Sequence, residues 1–307
     1  MAPSTQKQWQ VVGTGSFDNL KVRSIVTSTT SKARFNNFSS MSPLKYRLQA
    51  TTMSLSASAV LRSTTATSSL PRYLYPARRY ISSLTLSQGG YPFPQRDGVV
   101  PASDAAGEIV AVGSKVKLWK TGDKVLTLFN QGHLAGAVDQ ISLGGGVGGV
   151  VDGGLQQYGV FNEYGVVRQP SNLNDVESAS LTCAGLTAWN ALYGVEGKKL
   201  MPGQWVLTQG TGGVSIFALQ FAKAAGARVI STTSSKDKMD KLKKLGADHV
   251  INYKEDENWG ETAKKLTGGV GVDHVIEVGG PSTTRNSLKA IKFEGIISII
   301  GYVLHST

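Results

Sequence analysis

The chain has a single cysteine, Cys183, in 307 residues. That excludes a disulfide framework and a thiolate-rich metal site, and points to an intracellular, cytoplasmic protein. Long apolar runs are missing too. The longest, "GIISIIGYVL" near the C-terminus, is about half of the roughly 20 residues that a membrane span needs, so no membrane partner is expected. Acidic residues are absent between Asp18 and Asp97, while the same stretch holds 11 of the 32 Lys and Arg residues. Removing those 11 leaves 21 basic residues against 21 acidic ones. The formal charge of +11 therefore belongs to one segment and not to a binding face, which argues against a nucleic-acid partner.

That segment is rich in Ser, Thr and Arg, as in "TSTTSKARFNNFSS" and "RSTTATSSL", and keeps no period of 2 or 3.6. Residues 24–88 are expected to stay without fixed structure, because such a stretch buries too little apolar surface to offset its ordering entropy. An internal start at Met53 would expose "MSLSASAVLRSTTATSSLPRYLYPARRY" as an Arg- and Ser-rich transit peptide, a mitochondrial address. Its internal position argues against that address, and a linker, a retained intron or an altered reading frame is the preferred account.

Past it the chain carries strand and helix signals in alternation. "WVLTQ" (205–209) reads as a short buried strand, followed by Gly210-Thr211-Gly212-Gly213-Val214-Ser215 opening a helix that stops at Gly226. Gly210 permits the tight turn, Gly212 lets the backbone approach a pyrophosphate, and the helix N-terminus offers free N–H groups to the phosphates. Ser215 stands where the third glycine of the dinucleotide fingerprint would be. A second such spacing, Gly144-x-Gly146-x-x-Gly149 in "LGGGVGGVVDGG", has no leading strand or following helix and reads as a flexible surface loop. Further strands are expected near 228–233, at "HVINY", at "VDHVIEVG" and at "GIISIIG", with helices at 236–245 (closed by Gly246), 259–266 and 282–292. Regular alternation implies right-handed crossovers and a parallel, doubly wound Rossmann sheet.

The end of the second strand reads Thr232-Thr233-Ser234-Ser235-Lys236-Asp237-Lys238. An NAD site usually places a carboxylate at this strand end for the ribose 2′-OH, whereas hydroxyls and lysines suit a 2′-phosphate. NADP is favoured over NAD, although Asp237 leaves NAD open.

On these blocks, with "GGYPFP", "VVPASDAAGEIVAVGSKVKLWKTGDKV", "ASLTCAGLTAWNAL" and "KLKKLGADHVINY", the chain resembles the medium-chain dehydrogenase/reductase superfamily. Within it, the resemblance is to the zinc-free, quinone-oxidoreductase-like branch. It implies a GroES-like β-barrel catalytic domain, here residues 1–170 with the barrel incomplete. A Rossmann domain follows at 171–307 with its last strand missing, and substrate would lie in the cleft between the two. Thr187 would neighbour the nicotinamide end, and Gly212, Gly213 and Val214 the pyrophosphate. The 2′-phosphate would lie near Thr233, Ser234, Lys238 and Tyr253, and Val278 and Gly279 along the cofactor.

In zinc-dependent relatives a His-Glu pair stands where this chain has Ser103-Asp104, and Cys183 falls at a further ligand position. Catalytic zinc needs at least three convergent donors, so no zinc is expected, and Cys183 reads as a small buried hydrophobe. Tyr91, Asn130 and His133 are the candidate proton donors for a substrate oxyanion. The resemblance implies an NADPH-dependent oxidoreductase acting on a small-molecule quinone, enone or related carbonyl, and a homodimer through Rossmann edge strands. The alternative is a cofactor-binding but inactive variant, or a defective gene model, since barrel strands after "FDNLKV" and the usual C-terminus are replaced or missing.

Overall fold

The computed structural model describes residues 96–301 except 140, 141 and 143, together with the course of three strands nearer the N-terminus. The chain divides into two compact units, Met1–Cys183 and Ala184–Thr307.

In the first unit β1 (Thr5–Val11) and β2 (Leu20–Val26) pair antiparallel. A five-stranded antiparallel sheet follows, made of β3 (Ser58–Ser63), β4 (Ala106–Val112), β5 (Lys124–Thr127), β6 (Tyr158–Asn162) and β7 (Val166–Arg168) in the order β6-β3-β4-β5-β7. The stretch expected to lack structure thus contains one central strand, β3, bonded to both β4 and β6. Apart from β3 and the last residues of β2, that stretch lies outside the described residues, as does Tyr91. The sheet closes over Ile109, Val125, Val147, Phe161 and Val166, all buried.

The glycine run at 144–154 is not a flexible surface loop. Val147 belongs to the core just named, and Gly153 and Gly154 are buried. The reason lies in the neighbouring segment, where Ala102 holds φ at 74°, a region that non-glycine residues seldom adopt. Backbone bonds from Gly153 N to Val100 O (2.7 Å) and from Gly154 N to Ala102 O (2.7 Å) clamp the segment. A Cβ on Gly153 would overlap the carbonyls of Pro101 and Ala102. Glycine serves close backbone approach here, not mobility.

The first unit ends with α1 (Asp175–Ala179), whose Asn174 and Glu177 form a reciprocal capping box, and a π-helical turn at Leu181–Gly185 that runs into the second unit.

The second unit holds α2 (Leu186–Tyr193), β8 (Trp205–Gln209), α3 (Gly213–Ala224), β9 (Arg228–Thr233), α4 (Lys236–Lys244), β10 (His249–Asn252), α5 (Trp259–Leu266), β11 (Val272–Glu277), α6 (Pro281–Ala290) and β12 (Ile291–Ile299). All five strands run parallel in the order β10-β9-β8-β11-β12, so the winding reverses between β8 and β11, the doubly wound pattern. Because strand side chains alternate, neighbours feed opposite faces. Val206, Val229 and Ile276 join one cluster with Leu219 and Leu242; Leu207, Ile230 and Val275 join another with Trp259 and Ala263. Each such fully buried aliphatic side chain contributes about 1.5–3 kcal/mol. Both glycine stops act as Schellman caps: Gly226 (φ 75°) and Gly246 (φ 102°) take the left-handed conformation, and the residue after each donates back to the carbonyl five residues earlier.

One boundary differs from the sequence expectation. Helix α6 ends at Ala290, and β12 starts at once by pairing Ile291 with Val272 before the register shifts to Ile296 opposite His274. Glu294, with φ at 62°, lets the intervening residues loop out and leaves Phe293 almost wholly exposed.

Candidate functional site

Gly210 follows β8 with φ at 73°, and its N–H bonds the carbonyl of Thr232 in β9 (2.8 Å). The turn is thereby pinned to the neighbouring strand tip. Gly212 is the N-cap of α3, with extended backbone and no side-chain cap, and the helix has no acidic residue in its first turn. Its leading N–H groups and the positive end of the helix dipole are thus left to an anion. A Cβ placed on Gly210 or Gly212 meets nothing within 4 Å, so side chains there would fill open space above the turn. The residues fit a pyrophosphate. Ser215 is buried and donates to Gln209 O (2.6 Å), which lets a serine take the third-glycine position while tying the helix start to the strand.

The other positions fall at the same carboxyl edge of the sheet. Thr233 is buried at the tip of β9, Ser234 follows it half-buried, and Lys238 sits half-buried in the first turn of α4. Tyr253, just past β10, donates its backbone N–H to Thr233 O (3.0 Å). Asp237 is exposed on α4. Val278 and Gly279 follow β11. Thr187 lies in the first turn of α2, three residues after Ala184, whose Cβ is 3.0 Å from where Gly213 would carry one.

Sequence reasoning gave no role to Gln209 and Glu277, the polar residues that close two apolar strands. Glu277 is fully buried and accepts from Gln209 Nε2 (2.8 Å), from the N–H groups of Gly279 (2.9 Å) and Gly280 (3.0 Å), and from the hydroxyls of Thr283 and Ser287. The only sequence signal was a Gln and a Glu ending otherwise apolar runs.

In the first unit, Asn130 pairs through its backbone with Gly146, and its Oδ1 is buried with no hydrogen-bond partner among the described residues. His133 Nδ1 lies 3.2 Å from Ser142 Oγ, which donates to Asp139 Oδ1 at 2.6 Å. Ser142 and Asp139 were not singled out in the sequence.

Two family models match the chain: "Alcohol dehydrogenase GroES-like domain" over residues 80–171 and "Zinc-binding dehydrogenase" over 213–307. The solved structure of a putative alcohol dehydrogenase from Sinorhizobium meliloti 1021 superimposes with a TM-score of 0.78 at 33% identity, covering 98% of this chain and 78% of the other. The chain belongs to the medium-chain dehydrogenase/reductase superfamily. Among curated relatives, the zinc-type alcohol dehydrogenase-like protein C1773.06c of Schizosaccharomyces pombe is 46% identical over 72% of this chain and 64% of its own length. The chloroplast envelope quinone oxidoreductase homolog of Arabidopsis thaliana is 34% identical over 70% of this chain and 59% of its own. The chain thus spans about three fifths of these relatives.

The superfamily's zinc does not fit this member's donors. Ser103 and Asp104 stand where the resemblance implies a His-Glu pair in zinc-dependent relatives, and among the described residues no three His, Cys, Asp or Glu side chains group to hold a metal. Burial pushes the Cys183 thiol up to about 11, with the Asp104 charge adding to the effect. Burial likewise raises Asp104 to about 6, against a hydrogen bond from Ser103 Oγ (3.1 Å) that lowers it. Because the folded pKa lies above the ordinary 3.8, the folded state favours the protonated carboxyl. Ionisation therefore costs stability, increasingly as pH rises from about 4 to 6 and fully above. Asp104→Asn keeps the Ser103 acceptor without the charge. It is expected to raise unfolding free energy at pH 7 by about 1–3 kcal/mol and to leave it little changed at pH 4. Urea titrations at the two pH values check this, and an equal effect at both would contradict it.

Proposed function

We propose that this chain is an NADPH-dependent oxidoreductase that delivers hydride, without zinc, to a quinone, an enone or a related carbonyl compound. In this reading residues 171–307 hold the cofactor and residues 1–170 serve catalysis. The observation that carries it is the uncapped start of α3 together with a β9 tip that ends in hydroxyls: in this reading Gly212, Gly213 and Val214 give N–H groups to the pyrophosphate, and Ser234, Lys238 and Tyr253 take the 2′-phosphate. No carboxylate stands at the tip of β9 to take a ribose 2′-OH. The chloroplast relative, a quinone oxidoreductase homolog by name, supports the substrate class.

Bound NADPH supplies the hydride. The chain's own task is to hold that cofactor and to provide a proton for the substrate oxyanion. We assign the proton to His133. With the Ser142 hydroxyl given to Asp139, Ser142 Oγ is left to accept from His133 Nδ1–H, so the transferable proton is the second one, held at Nε2 when the ring is the imidazolium with both nitrogens protonated. Asn130, whose backbone carbonyl accepts from His133 N–H (3.3 Å), presents its amide as the second polar contact. With the hydride that a bound NADPH would supply, that proton would balance a two-electron reduction of the substrate.

Titration of the chain with NADPH and with NADH, followed by nucleotide and tryptophan fluorescence, tests this. NADPH is expected to bind at least about tenfold more tightly, a difference of about 1.4 kcal/mol, for the charge-assisted contacts of one phosphate. Equal affinities would remove the 2′-phosphate assignment, and no saturable binding of either would remove the cofactor site.

A further inference from the structure

Gln209 stands at the reversal of winding, as the last residue of β8. The backbone ladder between β8 and β11 ends with Thr208 opposite Ile276, and from there the Gln209 side chain takes over. Its Oε1 accepts from the N–H groups of Val278 and Gly279, both at 3.1 Å, and its Nε2 donates to Glu277 Oε2 and Ser287 Oγ, both at 2.8 Å. Both donors and the acceptor of the amide are thus used. Meanwhile the Gln209 carbonyl accepts from Ser215 Oγ, inside the first turn of α3. One residue therefore grips the glycine turn through its backbone and the tip of β11 through its side chain. At 5% exposure it does so out of water, where an unmade bond is costly.

We infer that Gln209 is a positioning residue that ties the β11 tip to the glycine turn, so that the pyrophosphate end and the Val278–Gly279 end of the cofactor site are held as one piece. This rests on the cofactor reading above. A hydrophobe of similar size would fill the space and make none of the four side-chain bonds. A glutamate would keep the acceptor for Val278 and Gly279 but set an oxygen against Glu277. Glu277 is the one titratable group among the described residues that the Gln209 side chain bonds; Ser287 of α6 is uncharged, as are Ser215 of α3 and Thr232 of β9, which meet its backbone. Two buried carboxylates facing each other cannot both ionise cheaply, and one shared proton restores the missing donor.

The test is NADPH affinity at pH 6.5 and 8.5 for the wild type, Gln209→Glu and Gln209→Met, with circular dichroism to show that each chain is folded. Taken relative to the wild type's own ratio, Gln209→Glu is expected to bind at least about tenfold more weakly at pH 8.5 than at pH 6.5. Gln209→Met is expected to bind about tenfold more weakly than wild type at both pH values, with no recovery in acid. A wild-type pH ratio in Gln209→Glu, or wild-type affinity in Gln209→Met, overturns the inference while leaving the cofactor reading intact. If Gln209→Glu is unfolded at pH 8.5, the Gln209→Met result decides alone. A wild-type chain that binds no nucleotide overturns the cofactor reading and this inference with it.

Discussion

Glu277→Ala is expected to lower the unfolding free energy of the Rossmann unit by about 3–5 kcal/mol. The substitution removes an acceptor group shared by five donors: the amide of Gln209, the N–H groups of Gly279 and Gly280, and the hydroxyls of Thr283 and Ser287. Gly279 keeps Gln209 Oε1 (3.1 Å) and Thr283 keeps the Gly280 carbonyl (3.0 Å), so the Gln209 amide N–H, the Gly280 N–H and the Ser287 hydroxyl are the three left stranded. Each orphaned buried donor costs about 1–3 kcal/mol, and water entering the vacated volume recovers part of that sum. The loss also falls on a helix start, because Gly280 caps α6 in a left-handed conformation (φ 77°) without any side-chain bond of its own. Glu277→Gln, which keeps one carbonyl acceptor and turns the other oxygen into a donor, is expected to cost less, about 1–2 kcal/mol. Urea denaturation followed by tryptophan fluorescence measures both. A cost below about 1 kcal/mol for the alanine variant would show that the donors find other partners and that the carboxylate does not organise the turn.

What was legible in the sequence follows the range of the interactions concerned. Helix α3 and helix α4 end where Gly226 and Gly246 said they would, because a left-handed cap is a local event. The central strands β8, β9 and β11 are short runs buried on both faces, and these too are visible locally. Strand β3 escaped because composition was averaged over a long Ser/Thr stretch, whereas its place is set by antiparallel partners at 106–112 and 158–162. The glycines at 153 and 154 escaped for the same reason: what Gly153 must avoid is the backbone of Pro101 and Ala102, and what Gly154 must avoid is the Cβ of Ala105, some 50 residues earlier. Gln209 and Glu277 are 68 residues apart, so neither sequence neighbourhood contains the other's half of the network. At the candidate site the residue types were readable, but His133 acquires its orientation from Ser142 and Asp139, a contact made across a loop. Local physics wrote the scaffold; distant pairs wrote the fine placement.

Gly212→Asp separates folding from cofactor binding and is expected to move them in opposite directions. The backbone at Gly212 is extended, at φ −73° and ψ 168°, the conformation in which aspartate is a favoured N-cap. A Cβ there meets no atom within 4 Å. The new carboxylate can accept from the N–H of Val214 or Ser215 and lies at the positive end of the helix dipole. The gain over glycine is a few tenths of a kcal/mol from the cap and about 0.3–1 kcal/mol from the dipole. The same carboxylate takes the N–H groups that the proposed cofactor reading gives to a pyrophosphate, and would set a negative charge against it. NADPH affinity is therefore expected to fall about 100-fold, or about 2.7 kcal/mol. Gly212→Ala, with the same added Cβ and no charge, should lose far less. Thermal unfolding and NADPH titration of the three chains give the two readouts side by side. A thermal midpoint at or above the wild type's with binding nearly abolished would place the phosphates on the first turn of α3. Wild-type affinity in a folded Gly212→Asp chain would mean that this helix start binds no anion, and the strand-tip hydroxyls would lose their reason for carrying no carboxylate.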